Sequence, residues 1–283
     1  MGPKPSEPDP ALLRPLLAGA SPPLSAAQAV ERLRPWEPAA TERGGRSERD
    51  ELPRVLLNMA CTADGRATVG GRSGPIGDRG DRELFHALRT AVDAVLVGAG
   101  TVRAERYRRL VRDEGHRRLR QARGLAEEPL ACIVSAGLSL GPEIPLLADP
   151  AARIAVLTPS LTGELSGSAA PVEYVRAARE GQLDLPAALA ELRTRLGVRT
   201  VLCEGGPHLN GQLFAAGLVE ELFLSLAPKL AGGADAGGSL RIISGPGLEP
   251  PVELELLDVL ESHSQLLLRY RVGGDRGARP PAR

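Results

Sequence analysis

Two acids stand where short apolar runs end: Asp64 in Cys61-Thr62-Ala63-Asp64-Gly65, and Glu204 in Glu204-Gly205-Gly206-Pro207. In open α/β sheets ligands bind at the carboxyl ends of strands, so an acid there can hydrogen-bond a substrate or supply a proton. Asp-Gly is also a common turn pair, which gives Asp64 an ordinary reading as turn chemistry. Two glycine-rich turns lead into helical segments, Gly98-Ala99-Gly100-Thr101 and Gly205-Gly206-Pro207. Glycine lets backbone amides approach a phosphate, and a helix N-terminus favours negative charge. Neither turn is a full G-x-G-x-x-G fingerprint, since Arg103 stands where the first would need its third glycine. Either turn alone would serve a tight strand-to-helix connection. Two on one sheet edge point to a dinucleotide.

Residues 101–123 carry nine arginines against three acids. Such a run is ordinarily a solvated helix face; its functional alternative is a phosphate clamp, for which guanidinium geometry is suited. Arg89 and Arg112 are the arginines singled out for that role. His86, His116, His208 and His263 are scattered with no H-E-x-x-H or H-x-E pattern, so no metal is expected. Cys61, Cys132 and Cys203 are odd in number, far apart and set in apolar runs, which predicts buried free thiols rather than disulfides or zinc ligands.

The elements that must hold these groups alternate. RVLLNMA (54–60), AVLVG (94–98), LACIVS (130–135), RIAVLT (153–158), VEYV (172–175) and TVLCE (200–204) read as strands. Asp78 can cap a helix whose Leu84, Phe85, Leu88, Ala91 and Val92 keep helical spacing. LPAALAELRTRLG (185–197) is a second helix, with Asp184 as N-cap, Pro186 in its first turn and Gly197 past its end. PHLNGQLFAAG is a short third helix, and ELFLSLAP, VELELLDVLE and SQLLLRYRV close the chain as strands. Strands separated by helices mean an α/β fold with a mostly parallel sheet. The last two strands have no room for a helix between them, so they form an antiparallel edge.

Residues 54–272 make up this domain. Residues 1–53 read as an N-terminal extension, in which ALLRPLLAG and SAAQAVERLRPW form a helical arm and the rest is linker. Residues 273–283 read as a disordered tail. A formal net charge of zero and only seven aromatics argue against a nucleic-acid or anionic-membrane partner. No apolar run reaches membrane-spanning length and the N-terminus lacks a signal-peptide pattern, so a cytoplasmic protein is expected.

In order along the chain, NMACTADGRATVGGRSGPIGD, LRTAVDAVLVGAGTVRAE and VLCEGGPHLNGQLFAAGLVEELFLSLAPKLAGG resemble one family. It is the reductase domain of the bifunctional riboflavin-biosynthesis deaminase–reductase, together with its stand-alone relatives. The resemblance implies the dihydrofolate-reductase-like three-layer fold, a homodimer and NADPH as cofactor. It implies reduction of 5-amino-6-(5-phosphoribosylamino)uracil to its ribitylamino product, by hydride transfer to C1′ of the ring-opened imine. Residue by residue, it assigns the cofactor to Ala60, Gly98, Gly100, Thr101, Glu105, Ser135 and the run Gly205, Gly206, Pro207, His208, Leu209, Asn210, Gly211, Gln212. Ser73, Arg89, Arg112 and Glu204 face the substrate, and Asp64 or Glu204 relays a proton. The chain departs from the family after G-T-V: Glu105-Arg106-Tyr107 replaces two polar residues and a proline. That leaves dihydrofolate or another pteridine-like ring, or a binding role without turnover, as alternatives. The deaminase's H-x-E and P-C-x-x-C pair is not found.

Overall fold

The computed structural model describes residues 10–17, 19, 21–37, 51–232 and 240–273. Along the chain run β1 (Arg14–Pro15), α1 (Ala26–Leu33), β2 (Arg54–Thr62), α2 (Arg79–Arg89), β3 (Ala94–Gly98), α3 (Ala99–Ala104) and α4 (Glu114–Ala122). Then come β4 (Leu130–Val134), β5 (Ile154–Thr158), β6 (Val172–Arg176), the small pair β7 (Ala178–Arg179) and β8 (Gln182–Leu183), and α5 (Leu185–Leu196). The chain closes with β9 (Thr200–Cys203), α6 (Pro207–Ala215), β10 (Val219–Ala227), β11 (Leu254–Ser262) and β12 (Gln265–Val272).

Ten strands form one sheet in the order β1-β11-β12-β10-β2-β9-β3-β4-β5-β6. From β10 to β6 every pairing is parallel; β12 joins β10, and β11 joins β12, antiparallel. Alternation along the strands divides the core into two layers. Val95, Val97, Ile133, Val156 and Leu202 meet Leu84 and Leu88 of α2 on one face. Leu96, Cys132, Leu157 and Cys203 meet Leu189 and Leu192 of α5 and Leu213 of α6 on the other. Strands buried on both faces read as unbroken apolar runs, which is why AVLVG and LACIV are legible without alternation. The three cysteines are free and buried, and burial pushes the Cys203 thiol up to about 12. No helix among the described residues is long and apolar enough to cross a membrane.

The N-terminal arm differs from its expectation. ALLRPLLAG is not helical: Leu13 bridges Leu24, and Arg14–Pro15 pairs antiparallel with Leu260 and Glu261 of β11. Pro15 has no N–H to give a ladder, and an outermost strand is where a sheet tolerates that. SAAQAVERL does form a helix, α1, closed by a reciprocal Ser25–Gln28 capping box. The arm packs on the domain: Leu13, Ala29, Val30 and Leu33 are buried in the same layer as α2. The tail expected from Gly273 onward lies, apart from Gly273, outside the described residues.

Candidate active site

Strand order brings the two glycine turns together. β9 lies beside β3, with Leu96 level with Cys203, so both turns emerge at one edge. Gly98 N–H donates to Gly205 O at 2.8 Å. A Cβ on Gly98 would stand 3.4 Å from the Gly206 nitrogen, and a Cβ on Gly206 2.8 Å from Thr101 Oγ1. Gly205 has φ +91°, a backbone conformation that favours glycine. Gly206 is the N-cap of α6, and no side chain caps that helix. The first amides of α6 therefore have no helical acceptor and face the turn.

Glu204 closes β9, and Arg89 ends α2. They meet as a bidentate pair, Nε to Oε1 and Nη2 to Oε2, both at 2.7 Å, with side chains 9% and 2% exposed. Tyr107 Oη donates to Glu204 Oε2 at 2.6 Å. Arg89 Nη1 donates to Leu110 O, and its guanidinium lies 4.2 Å from the Phe85 ring centre. Burial works against the Arg89 charge, but the Glu204 carboxylate more than offsets it and the pKa is raised. Burial first, then Glu204, lifts the Tyr107 phenol well above its usual range, so it stays a donor.

A cleft of about 340 Å³ runs from these turns across the end of β2. Ala60, Gly100, Thr101, Glu204, Gly206 and Pro207 line it, together with Met59, Thr68, Gly77 and Asp81. Ser73, Phe85, His86, Glu105 and Tyr107 border both this cleft and a second recess of about 580 Å³. The recess is basic: Arg106, Arg108, Arg109 and Arg112 line it beside Arg89 and His116. Glu105 accepts from the Ser73 amide at 2.9 Å and from its hydroxyl at 2.8 Å, fixing the strap before α2 against α3. Burial, then the Arg89 charge, lowers His86 to about 4, leaving a neutral imidazole at the junction.

Other expected residues stand elsewhere. Gly98 and Gly205 shape the turns without lining the cleft, and Ser135 is buried at the end of β4, its amide on Leu157 O. Leu209, Asn210 and Gly211 are packing residues of α6: Asn210 Nδ2 donates to Ile242 O at 2.7 Å, and a Cβ on Gly211 would reach 2.4 Å from Ser244 O. His208 and Gln212 lie on the exposed face of α6. Asp64 lines neither space. Its carboxylate accepts from the Thr62 hydroxyl and the Ala231 and Gly232 amides, and these hold its pKa near 2. It is thus an ionised anchor for the loop after β10 rather than a proton donor. Sequence reasoning missed Asp81, His86 and Tyr107 as wall residues. Only the helical spacing of Asp81, Phe85 and Arg89 on α2 hinted that one helix face fills the cleft. Among the described residues no cluster of His, Cys, Asp or Glu is placed to hold a metal.

A family model of the RibD C-terminal domain matches residues 53–268. A 2,5-diamino-6-ribosylamino-4(3H)-pyrimidinone 5′-phosphate reductase of Methanothermobacter thermautotrophicus is 28% identical over 225 residues, 78% of this chain and 99% of that protein. Its namesake from Archaeoglobus fulgidus is 30% identical over 185 residues, 65% of this chain and 84% of that one. The crystal structure of a pyrimidine reductase-like protein from Corynebacterium diphtheriae superposes with a TM-score of 0.69 at 23% identity, covering 89% of this chain and 100% of that one. At that identity the likeness is one of fold, and the fold is the dihydrofolate-reductase-like arrangement expected from the motifs. With a family model spanning well over half of its length, the chain belongs to the RibD C-terminal domain family of riboflavin-biosynthesis reductases.

Proposed function

We propose that the chain reduces the ribosyl group of a 5-amino-6-ribosylaminopyrimidine 5′-phosphate to ribityl, with NADPH as reductant. The observation that carries this is a pair of adjoining spaces that share Ser73, Phe85, His86, Glu105 and Tyr107: one holds an uncapped helix terminus with a threonine hydroxyl, the other a cluster of arginines. The donor set fits a pyridine dinucleotide phosphate. The backbone amides of His208 and Leu209 at the start of α6 are free to meet phosphate oxygens, and the Thr101 hydroxyl stands beside Gly206. In this reading the run from Gly206 acts through its backbone, in keeping with side chains that turn away. When bound, the cofactor supplies a hydride.

The protein's own groups bind and orient. Arg108 and Arg112, exposed in the recess, hold the 5′-phosphate, for which guanidinium donors are suited. Glu204 cannot swing, because Arg89 and Tyr107 fix both its oxygens; its remaining lone pairs offer fixed acceptors to a sugar hydroxyl. His86 is uncharged at neutral pH and adds no positive charge beside C1′. Two copies associate as a homodimer through the β11 side of the sheet, where Leu254 and Leu256 are exposed. A monomeric mass by light scattering would reject that assembly.

The test is loss of NADPH absorbance with purified protein and the ribosylaminopyrimidine phosphate, beside dihydrofolate and substrate-free controls. Turnover of the ribosyl phosphate alone is the expected result. Turnover of dihydrofolate alone would move the substrate, and tight NADPH binding without oxidation of any substrate would leave a binding protein.

A further inference from the structure

Arg120, in the last turn of α4, is a fully buried guanidinium that the site described so far does not use. Its Nε donates to Ala126 O at 2.8 Å, and its Nη1 to the carbonyls of Arg89 and Val92 at 2.6 and 2.7 Å. Its Nη2 is buried with no hydrogen-bond partner. Burial draws the Arg120 pKa down to about 10, while Glu128 and Asp93 favour the charge without pairing with it. The group is therefore still charged at neutral pH. It stands in the wall of a small recess beside Asp93, just before β3, and Leu130, the first residue of β4. That is the edge of the sheet opposite the glycine turns.

Such a group is costly. A buried charge without a counter-ion weighs against the fold, and an apolar residue of similar volume is often neutral or better. Ending a helix needs nothing of the kind: a glycine just past the last turn closes it, as Gly197 does for α5. What the guanidinium adds is a tie from another element to two carbonyls three residues apart. Arg89 is the final residue of α2, and its carbonyl is one that the helix itself leaves without a donor. Arg123, the C-cap of α4, takes the next one, its Nη1 donating to Thr90 O at 3.2 Å and to the Thr90 hydroxyl at 2.8 Å. The backbone of Arg89 is thus held by α4 while its side chain grips Glu204.

That arrangement leaves little slack. A helix end that frayed or rotated would carry the Arg89 guanidinium off the two Glu204 oxygens, and a misplacement of about 1 Å in a site can cost about 100-fold in rate. We propose that Arg120 is a positioning residue for the reduction: by holding the end of α2 from the edge where β3 and β4 begin, it keeps Arg89, and through it Glu204, in place for the substrate sugar. The proposal rests on the reductase reading above.

Arg120→Met removes the charge and fills most of the space. Arg120→Lys keeps a charge but not the planar fork that spans Ala126 O and the two α2 carbonyls. Urea melts give the stability of each variant, and steady-state kinetics give kcat and KM for the ribosyl phosphate. NMR gives the titration of His86 in the protein without substrate. Arg89, Glu204, His116 and Arg112 face that imidazole, and burial, then Arg89, holds it at about 4. Arg120→Met is expected to melt cooperatively and to lose about 10- to 100-fold in kcat, with KM changed by no more than about twofold. In the same variant His86 rises toward 6.5 as Arg89 moves away. Arg120→Lys falls between Met and the wild type on both readouts, and decides the question alone if Met does not fold. A cap that served stability only would lower the melting midpoint and leave kcat and the His86 titration where they were; that result in a folded variant overturns the assignment. A rise in KM alone overturns it too, since it would put Arg120 behind the phosphate-holding loop instead. If His86 rises in the variants while the wild type turns over no ribosyl phosphate, the reductase reading falls and the hold of Arg120 on Arg89 stands.

Discussion

Glu204→Gln is the most informative single change, because the structure predicts that it damages the fold and the chemistry by separate amounts. The carboxylate receives two 2.7 Å bonds from Arg89 and one from Tyr107, and it is almost wholly buried. An amide keeps one acceptor oxygen and turns an NH₂ group toward a guanidinium N–H, which can only donate. The Arg89 charge stays buried with the one amide oxygen, the Leu110 carbonyl and the Phe85 and Tyr107 rings, and with no counter-ion. Removing one partner of a buried ion pair costs roughly 3–5 kcal/mol. At about 2–4 °C per kcal/mol for a domain of this size, Tm falls by about 6–20 °C. Replacing Arg89 by Met in the same background removes the orphaned charge, so the double variant should recover at least half of that loss. Urea melts at fixed pH give the stabilities, and NADPH oxidation gives kcat/KM. Recovered stability without recovered turnover means that Glu204 also serves the substrate. If the single variant melts within about 1 kcal/mol of the wild type, the reasoning from the buried pair is refuted. If the double variant regains turnover as well, Glu204 is only the counter-ion of Arg89.

Three further outcomes follow from the same geometry. Gly206→Ala brings a methyl 2.8 Å from Thr101 Oγ1, and moving either turn should weaken NADPH binding about tenfold or more, read by fluorescence titration; unchanged affinity would place the phosphates elsewhere. Arg112→Ala should raise KM for the ribosyl phosphate about 10-fold or more with kcat little changed, the mark of lost uniform binding, whereas an equal fall in kcat would give Arg112 a role at the reacting carbon. His86 should titrate by NMR near 4 rather than 6.5. Its folded pKa is depressed, so the unfolded chain takes the proton first and stability from this residue is lost as pH falls from about 6.5 to about 4. His86→Gln should therefore flatten the acid-side fall in Tm over that window; a measured pKa of 6 or above would contradict the assignment.

The sheet was readable because its central strands are buried on both faces. AVLVG and LACIV have no polar position to hide, TVLC has only its opening Thr200, and each is flanked by turn residues. Strand order was not readable. Nothing local says that β9 inserts between β2 and β3, yet that insertion puts Gly98 against Gly205 and carries Glu204 to Arg89, 115 residues away. A strand-end acid and a helical arginine were each visible, but their pairing is a tertiary fact. The arm failed for a related reason. The apolar spacing of ALLRPLLAG reads locally as helix, and Leu13 becomes part of a bridge to Leu24 beside an edge strand only once β11 and the open face beside α2 exist for it to cover. Asp81 was hidden by its own helix: an acid three residues past an N-cap is what capping alone would select, and only the capture of the Asp78 amide by Gln265 leaves it to line the cleft.

The departure from the family at Glu105-Arg106-Tyr107 has a physical account. A proline at position 107 would have no amide, whereas Tyr107 donates its N–H to Val102 O at 3.1 Å while its carbonyl accepts from Leu146. Arg106 takes φ +48° to make that turn. The segment therefore folds back over the end of α3 and delivers a phenol to Glu204, which a proline ring could not supply. The phenol is held neutral by burial and by the adjacent carboxylate, so it donates across the whole neutral range. Glu204 is consequently clamped from two sides, by α2 through Arg89 and by the loop after α3 through Tyr107. The same loop carries Arg106, Arg108 and Arg109 into the recess. One altered stretch thus sets both the orientation of the buried carboxylate and the charge of the recess beside it.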